Sequence, residues 1–84
     1  MTPELAAEDW VGTGYAAKRL GYSQVTMWRL ARNGTVPSIR AGKEFRLPGR
    51  LVEDVRAAVM SGQSIVLAEF AREWSARHAA EAVA

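Results

Sequence analysis

The 84-residue chain has no cysteine and a single histidine, His78. A chain without cysteine cannot form a disulfide, a thiolate zinc site or a cysteine nucleophile, and one histidine cannot build a multi-histidine metal site by itself. The sequence also shows no nucleophile–base pair and no phosphate-binding glycine loop, and so short a chain has little room for a deep substrate cavity. We therefore expect a protein that is not an enzyme, with no metal, no cofactor and no small-molecule substrate.

Long hydrophobic runs are also missing from the sequence. No apolar stretch approaches the ~18 residues that a membrane span requires. Residues 1–9 are acidic, whereas a secretory signal begins with basic residues. We expect a cytoplasmic protein that does not bind a membrane.

Acidic residues are scarce in the middle of the chain. Residues 12–50 contain eight lysines and arginines and one acid, Glu44, so this segment carries a charge of +7 although the whole chain carries +2. Such a concentration is typical of a nucleic-acid-binding protein, because neutralising phosphates releases counterions and thereby supplies affinity. The charge alone is equally compatible with a solvated basic face or with a site for an acidic protein partner.

The apolar pattern that follows residue 12 predicts two short helices joined by a tight connection. The first covers residues 15–20, with Thr13 as a possible N-cap and Gly21 as its stop, and the second is capped by Ser23 and ends at Gly34. This order is that of a helix-turn-helix. The inward residues of the second helix are Met27, Leu30 and Ala31, and the outward ones are Gln24, Val25, Trp28, Arg29 and Arg32.

Residues 38–47 alternate between apolar and polar side chains on both sides of Gly42, which predicts a β-hairpin. We expect a three-residue loop centred on Gly42, because this loop places Ile39 opposite Phe45 on one apolar face. Lys43 then lies at or next to the tip. A hairpin directly after a helix-turn-helix is a wing, whose basic residues can reach phosphates or the minor groove.

Two more helices are predicted in the last third of the chain. The third begins at Pro48 and ends at Ser61-Gly62. A cap at Ser64 opens the last, from about residue 65 to residue 78. The apolar stripe of this last helix is either core or a protein contact face, and we favour the contact face. The stripe residues in question are Leu67, Phe70 and Trp74.

The run from residue 10 to residue 55 carries a longer pattern of residues in a fixed order. It resembles the excisionase-type winged helix-turn-helix family, a MerR-like group of small DNA-binding proteins. Two positions differ from that family: Gly12-Thr13-Gly14 stands where relatives have a Ser or Thr cap and an acid, and Val25 stands where polar residues are usual. The matching stretches are Ala16-Ala17-(x2)-Leu20-Gly21-Tyr22-Ser23, Thr26-Met27-Trp28-Arg29-Leu30, Gly34-Thr35-Val36-Pro37, Arg40-Ala41-Gly42-Lys43 and Phe45-Arg46-Leu47-Pro48.

The resemblance implies a mainly α fold with a small β-hairpin, a winged helix-turn-helix with an additional C-terminal helix. It divides the chain into an acidic N-terminal segment (residues 1–10), a DNA-binding domain (residues 11–61) and a C-terminal amphipathic helix and tail (residues 62–84). The second helix would enter the major groove and the wing would touch the neighbouring groove or backbone. The implied DNA-binding residues are Ser23, Gln24, Val25, Thr26, Trp28, Arg29, Arg32, Arg40, Lys43 and Arg46, with Lys18, Arg19 and Arg50 as possible backbone contacts.

The family includes phage excisionases, also called recombination directionality factors. These proteins bind adjacent sites cooperatively, bend double-stranded DNA and direct a tyrosine integrase toward excision. The expected partners are therefore DNA, an integrase and other copies of the chain, in the cytoplasm of a bacterial host and associated with its nucleoid. A small transcription regulator of the same family is the alternative, and a protein-interaction module is a further one.

Overall fold

The computed structural model describes the chain from Trp10 to Val83, and the side-chain surroundings of residues 10–78. This part of the chain forms four helices and a three-stranded antiparallel sheet, so the predicted mainly α fold with a hairpin is confirmed at that level. The elements are β1 (Trp10–Gly12), α1 (Thr13–Leu20), α2 (Gln24–Arg32), β2 (Ile39–Ala41), β3 (Glu44–Pro48), α3 (Gly49–Met60) and α4 (Leu67–Val83).

Strand β1 was not expected from the sequence. It pairs antiparallel with β3, with Val11 opposite Leu47, so the hairpin becomes a sheet of order β1-β3-β2. A strand of three residues that ends in glycine shows no alternation to recognise, and its partner lies far along the chain. Trp10, assigned above to the acidic segment, is the first residue of β1. The rest of that segment, residues 1–9, lies outside the described residues.

Helix α1 ends as predicted and begins differently. Gly21 adopts a φ of +81°, and its N–H and that of Tyr22 both donate to the carbonyl of Ala17, which closes the helix. At the other end Gly12 is the N-cap and provides no side-chain hydrogen bond. Thr13 is the first helical residue and is buried, so the prediction that it caps the helix is wrong.

Helix α2 follows the sequence prediction at both ends. The Ser23 hydroxyl accepts a hydrogen bond from the N–H of Thr26. At the C-terminus Gly34 has a φ of +79° and the N–H of Thr35 donates to the carbonyl of Leu30. Met27 is fully buried, as the predicted inward face requires.

The register of the hairpin differs from the predicted one. Ala41 pairs with Glu44, so the loop has two residues, and Gly42 takes the positive φ of +66° that suits the first position of a type II′ turn. Arg40 therefore lies opposite Phe45, and Ile39 lies opposite Arg46. Since a one-residue change of register moves a side chain to the other face, Ile39 is exposed and not part of the core.

The last two helices both form, and the start of one of them differs from its prediction. The predicted third helix is confirmed from Gly49 to Met60. The last helix begins at Leu67, so Ser64 does not cap it. No helix within residues 10–83 has both the length and the apolar character needed to cross a bilayer.

One hydrophobic core joins all four helices and the inner face of the sheet. The buried apolar residues of this core are Ala16, Ala17, Met27, Ala31, Val36, Phe45, Leu47, Leu51, Val52, Val55, Ala71 and Trp74.

Helix α4 packs onto α3 through Trp74. Its ring is 7% exposed and its indole N–H donates to a carboxylate oxygen of Asp54 at 2.8 Å. Trp74 therefore belongs to the core, and the prediction of an exposed contact face is wrong at this residue. Leu67 and Phe70 are half-buried and pack against the same core.

We expect Asp54→Ala to lower the free energy of unfolding by about 1 kcal/mol, because the Trp74 N–H loses its acceptor and the helix preference of alanine offsets part of that loss. Asp54→Asn keeps an acceptor oxygen and serves as the control. Urea unfolding followed by circular dichroism measures both variants. Equal losses for the two variants would contradict the role given to this hydrogen bond.

Candidate nucleic-acid interface

The outer face of α2 is a continuous solvent-exposed surface. Met27 and Ala31 are buried in the core on the opposite face of this helix. Because of the helical periodicity, the residues between them point outward. Val25 is 60% exposed, so an apolar side chain stands free in the first turn. The exposed residues of this face are Gln24, Val25, Thr26, Trp28, Arg29 and Arg32.

The two hydroxyls at the start of α2 are engaged with each other. Ser23 accepts from the backbone N–H of Thr26 at 3.1 Å, and its own hydroxyl donates to the Thr26 hydroxyl at 2.9 Å. Ser23 therefore has a structural function as the helix cap. Both residues are exposed, so the Thr26 hydroxyl can still donate a hydrogen bond to a group outside the protein.

Gln24 lies against the first turn of α1. A Cβ atom built on Gly14 would be 3.4 Å from the Gln24 Nε2 atom. This distance is an ordinary van der Waals contact, so the Gln24 carboxamide lies beside Gly14 without excluding a side chain there.

A chain of ring contacts connects α2 to the hairpin. The Trp28 and Phe45 rings meet edge to face, with centroids 5.7 Å apart. The Arg32 guanidinium carbon lies 5.4 Å from the Trp28 ring centroid, and that of Arg40 lies 5.8 Å from the Phe45 centroid. We call these four residues the aromatic link. It brings cations from the helix and from the hairpin onto the same side of the protein.

The turn of the hairpin carries the other basic side chain of this surface. Lys43 is exposed in the second position of the two-residue loop. Arg40 donates from Nε to the Gly42 carbonyl at 2.9 Å, which holds its guanidinium beside the turn. Arg40 and Lys43 thus remain with α2 in the candidate interface.

Arg46 does not join them. It pairs with Ile39 across the sheet and lies on the face opposite Phe45, since neighbouring residues of β3 point to opposite faces. Its guanidinium is 3.8 Å from the carboxylate of Glu44, a contact in solvent. The structure separates Arg46 from α2, so a contact by Arg46 would have to come from the other face of the hairpin.

The predicted backbone contacts are also divided. Arg19 binds the Glu53 carboxylate through two hydrogen bonds, of 2.8 and 3.1 Å, and its carbonyl accepts a hydrogen bond from Arg56. Hydrogen bonding to Arg19 lowers the pKa of Glu53 below its ordinary value. Lys18 and Arg50 are exposed. Arg19 therefore joins α1 to α3, and a DNA contact would have to compete with that pair.

The sequence predicts Phe45 on the core face, and the structure confirms it, since Phe45 is 9% exposed and belongs to the core. The sequence also predicts Arg40 on the opposite face of the hairpin, and this is wrong. The signal was present in Gly42-Lys43, because a glycine-first dipeptide suits a two-residue II′ turn. That register places Arg40 directly opposite Phe45.

A separate apolar groove of about 480 Å³ lies between the C-terminal ends of α1 and α3 and the connection to α4. Tyr22, Val59 and Met60 line it and are exposed, with Met60 at 78%. No residue of α2 or of the hairpin lines this groove.

The surface of α2 and the hairpin offers hydrogen-bond donors, positive charge and ring surface, which can contact an anionic polymer. No group of three or more His, Cys, Asp or Glu side chains that could hold a metal ion occurs in the part of the chain that the structure describes. Comparison of the chain with family models, with curated proteins and with solved structures finds no match.

The Arg19–Glu53 pair predicts a specific pH dependence of stability. Because the pKa of Glu53 is lowered in the folded chain, the stabilisation is present above the unfolded pKa of glutamate and is lost as the pH falls through the lower folded value. We expect the stability difference between the native chain and Glu53→Gln to shrink as the pH falls below about 4.

Urea unfolding between neutral and acidic pH measures this difference. Glu73→Gln removes an exposed carboxylate of α4 and provides the matched control. If the two variants show the same pH dependence, the Arg19–Glu53 pair does not stabilise the fold.

Proposed function

We propose that this chain is a small winged helix-turn-helix DNA-binding protein. In this proposal α1 and α2 form the helix-turn-helix, α2 is the recognition helix, and the hairpin of β2 and β3 is the wing. The observation that carries the proposal is the shared surface of α2 and the hairpin, where Arg32 and Arg40 lie over two rings that contact each other. A helix of this diameter fits the major groove, and a hairpin beside it reaches the adjacent backbone or minor groove.

The charges of this surface favour nucleic acid as the partner. Among the described residues, no carboxylate lies within ion-pair distance of Arg29, Arg32, Arg40 or Lys43. The two arginines that do have such a partner, Arg19 with Glu53 and Arg46 with Glu44, lie outside this surface. Four cations on one surface, with no counter-ion among the described residues, suit the regularly spaced phosphates of a duplex.

The exposed residues of α2 suggest how bases are read. Arg29 carries a planar fork of donors that matches the O6 and N7 atoms of guanine. Val25 offers methyl groups suited to the methyl of thymine, and Gln24 offers a carboxamide suited to adenine. Arg32, Arg40 and Lys43 supply contacts to phosphates, which position the protein without reading sequence.

The finer proposal is that the protein is an excisionase that binds adjacent sites, bends DNA and directs a tyrosine integrase. It is supported by the resemblance of residues 10–55 to the excisionase-type family. A transcription regulator of the same family is the second candidate. The two candidate functions use the same surface of α2 and the hairpin. They differ in where the DNA sites lie in the genome and in what the bound protein does there.

Substitutions in α2 and in the turn have different expected effects on DNA affinity. Arg29→Ala should cost about 1–3 kcal/mol of binding free energy and relax base preference, because a base contact is lost. Lys43→Ala should weaken binding evenly across sequences and lower the salt slope by about one, because a phosphate contact is lost. Fluorescence anisotropy with labelled duplexes across a salt series measures both effects.

Arg77→Ala is the matched control, since it removes one exposed arginine from α4, away from the interface. Equal losses of DNA affinity for all three variants would show that only the net charge of the protein matters. Unchanged affinity for Arg29→Ala and Lys43→Ala would overturn the contact assignment.

Selection of genomic fragments by the purified protein at near-physiological salt separates the candidate functions. We expect clustered repeats beside an integrase gene, and bending of these fragments in a circular-permutation assay. Scattered promoter sites would support the regulator. No DNA binding even at ~50 mM salt would reject both and direct attention to a protein partner for the apolar groove.

A further inference from the structure

Trp28 occupies a position between the recognition surface and the hairpin. Trp28 is 36% exposed, so most of its surface is covered although it lies on the outer side of α2. Its ring and the ring of Phe45 meet edge to face, with centroids 5.7 Å apart. This contact joins the second helix to the hairpin.

Phe45 is the better-anchored partner. It is 9% exposed and belongs to the hydrophobic core, on the central strand of the sheet. A ring anchored in this way gives Trp28 a stable surface to pack against. The hairpin is joined to α2 at its base as well, where the Ser38 hydroxyl donates to the carbonyl of Ala31 at 3.3 Å.

The two arginines at the ends of the aromatic link depend on these rings. Arg32 lies over Trp28, and Arg40 lies over Phe45 while its Nε donates to the turn. A guanidinium over a ring face is attracted by the negative face of the ring and loses rotational freedom. The orientation of each arginine is therefore tied to a ring, and the two rings are tied to each other.

We propose that Trp28 and Phe45 are positioning residues, which hold the wing against α2 so that Arg32 and Arg40 engage one DNA duplex as a coupled pair. This inference rests on the proposed DNA-binding function. It assigns Trp28 a different role from the direct DNA contact that the sequence predicted.

A double-mutant cycle tests the coupling. The affinity for a labelled random-sequence duplex of about three helical turns is measured for Arg32→Gln, Arg40→Gln and the double variant at ~50 mM salt. If the two arginines acted independently, the loss of affinity in the double variant would equal the product of the two single losses. We expect the measured loss to be at least about threefold smaller than that product, because removing one arginine already disturbs the position of the other.

The same cycle is then measured with Trp28→Leu, which keeps an apolar side chain and removes the ring. In this background we expect the loss of affinity in the double variant to equal the product of the two single losses to within about twofold. Trp28→Phe keeps a ring and should restore the coupling. Losses that multiply in the native background, or coupling that persists unchanged with Trp28→Leu, would overturn the proposal.

A measurement without DNA separates this inference from the proposed function. Because the Arg40 Nε–H is hydrogen-bonded to Gly42, its NMR signal reports the position of that guanidinium in the free protein. Trp28→Leu should shift this signal, whereas Tyr15→Leu, a change to another exposed aromatic residue, should not. A shift without DNA affinity would support the link and reject the DNA-binding function. An unchanged Arg40 signal would overturn the link.

Discussion

Strand β3 imposes the constraint on which the rest of the described structure depends. It is hydrogen-bonded on one side to β1 and on the other to β2, so it cannot shift along either neighbour without breaking both ladders. Its inner face places Leu47 in the centre of the core and Phe45 against Trp28 of α2. The same strand therefore fixes the sheet, the core and the position of the hairpin relative to the second helix.

This constraint also sorts the positive charge of the chain. The alternation of β3 directs Arg46 away from α2, and the pairing register brings Arg40 toward it. On α1, Arg19 is neutralised by Glu53. Part of the positive charge of residues 12–50 therefore lies on one surface, which consists of α2 and the turn of the hairpin. No described carboxylate forms an ion pair with the cations of this surface. Concentration on one surface, more than total charge, is what a polyanionic partner requires.

Side chains of α3 make directed polar contacts to α1 and to α4. Arg56 donates to the last turn of α1, and Asp54 accepts from the indole of Trp74. A domain of this size buries little surface, so directed polar contacts at the ends of helices contribute to a unique arrangement as well as to stability. The exposed side chains of α2 then stand on a rigid element, as the proposed recognition of DNA requires.

The sequence by itself determined the local features of this protein. The ends of α2 were predictable from Ser23 and Gly34, because a cap and a left-handed glycine act on neighbours within a few residues. Its exposed and buried faces followed from helical periodicity in the same way. The tertiary structure alone decided the pairing of β1, the Arg19–Glu53 pair and the burial of Trp74. Each of these features depends on groups that are distant in the sequence or on competition for the same core. A local sequence pattern encodes neither of these two causes.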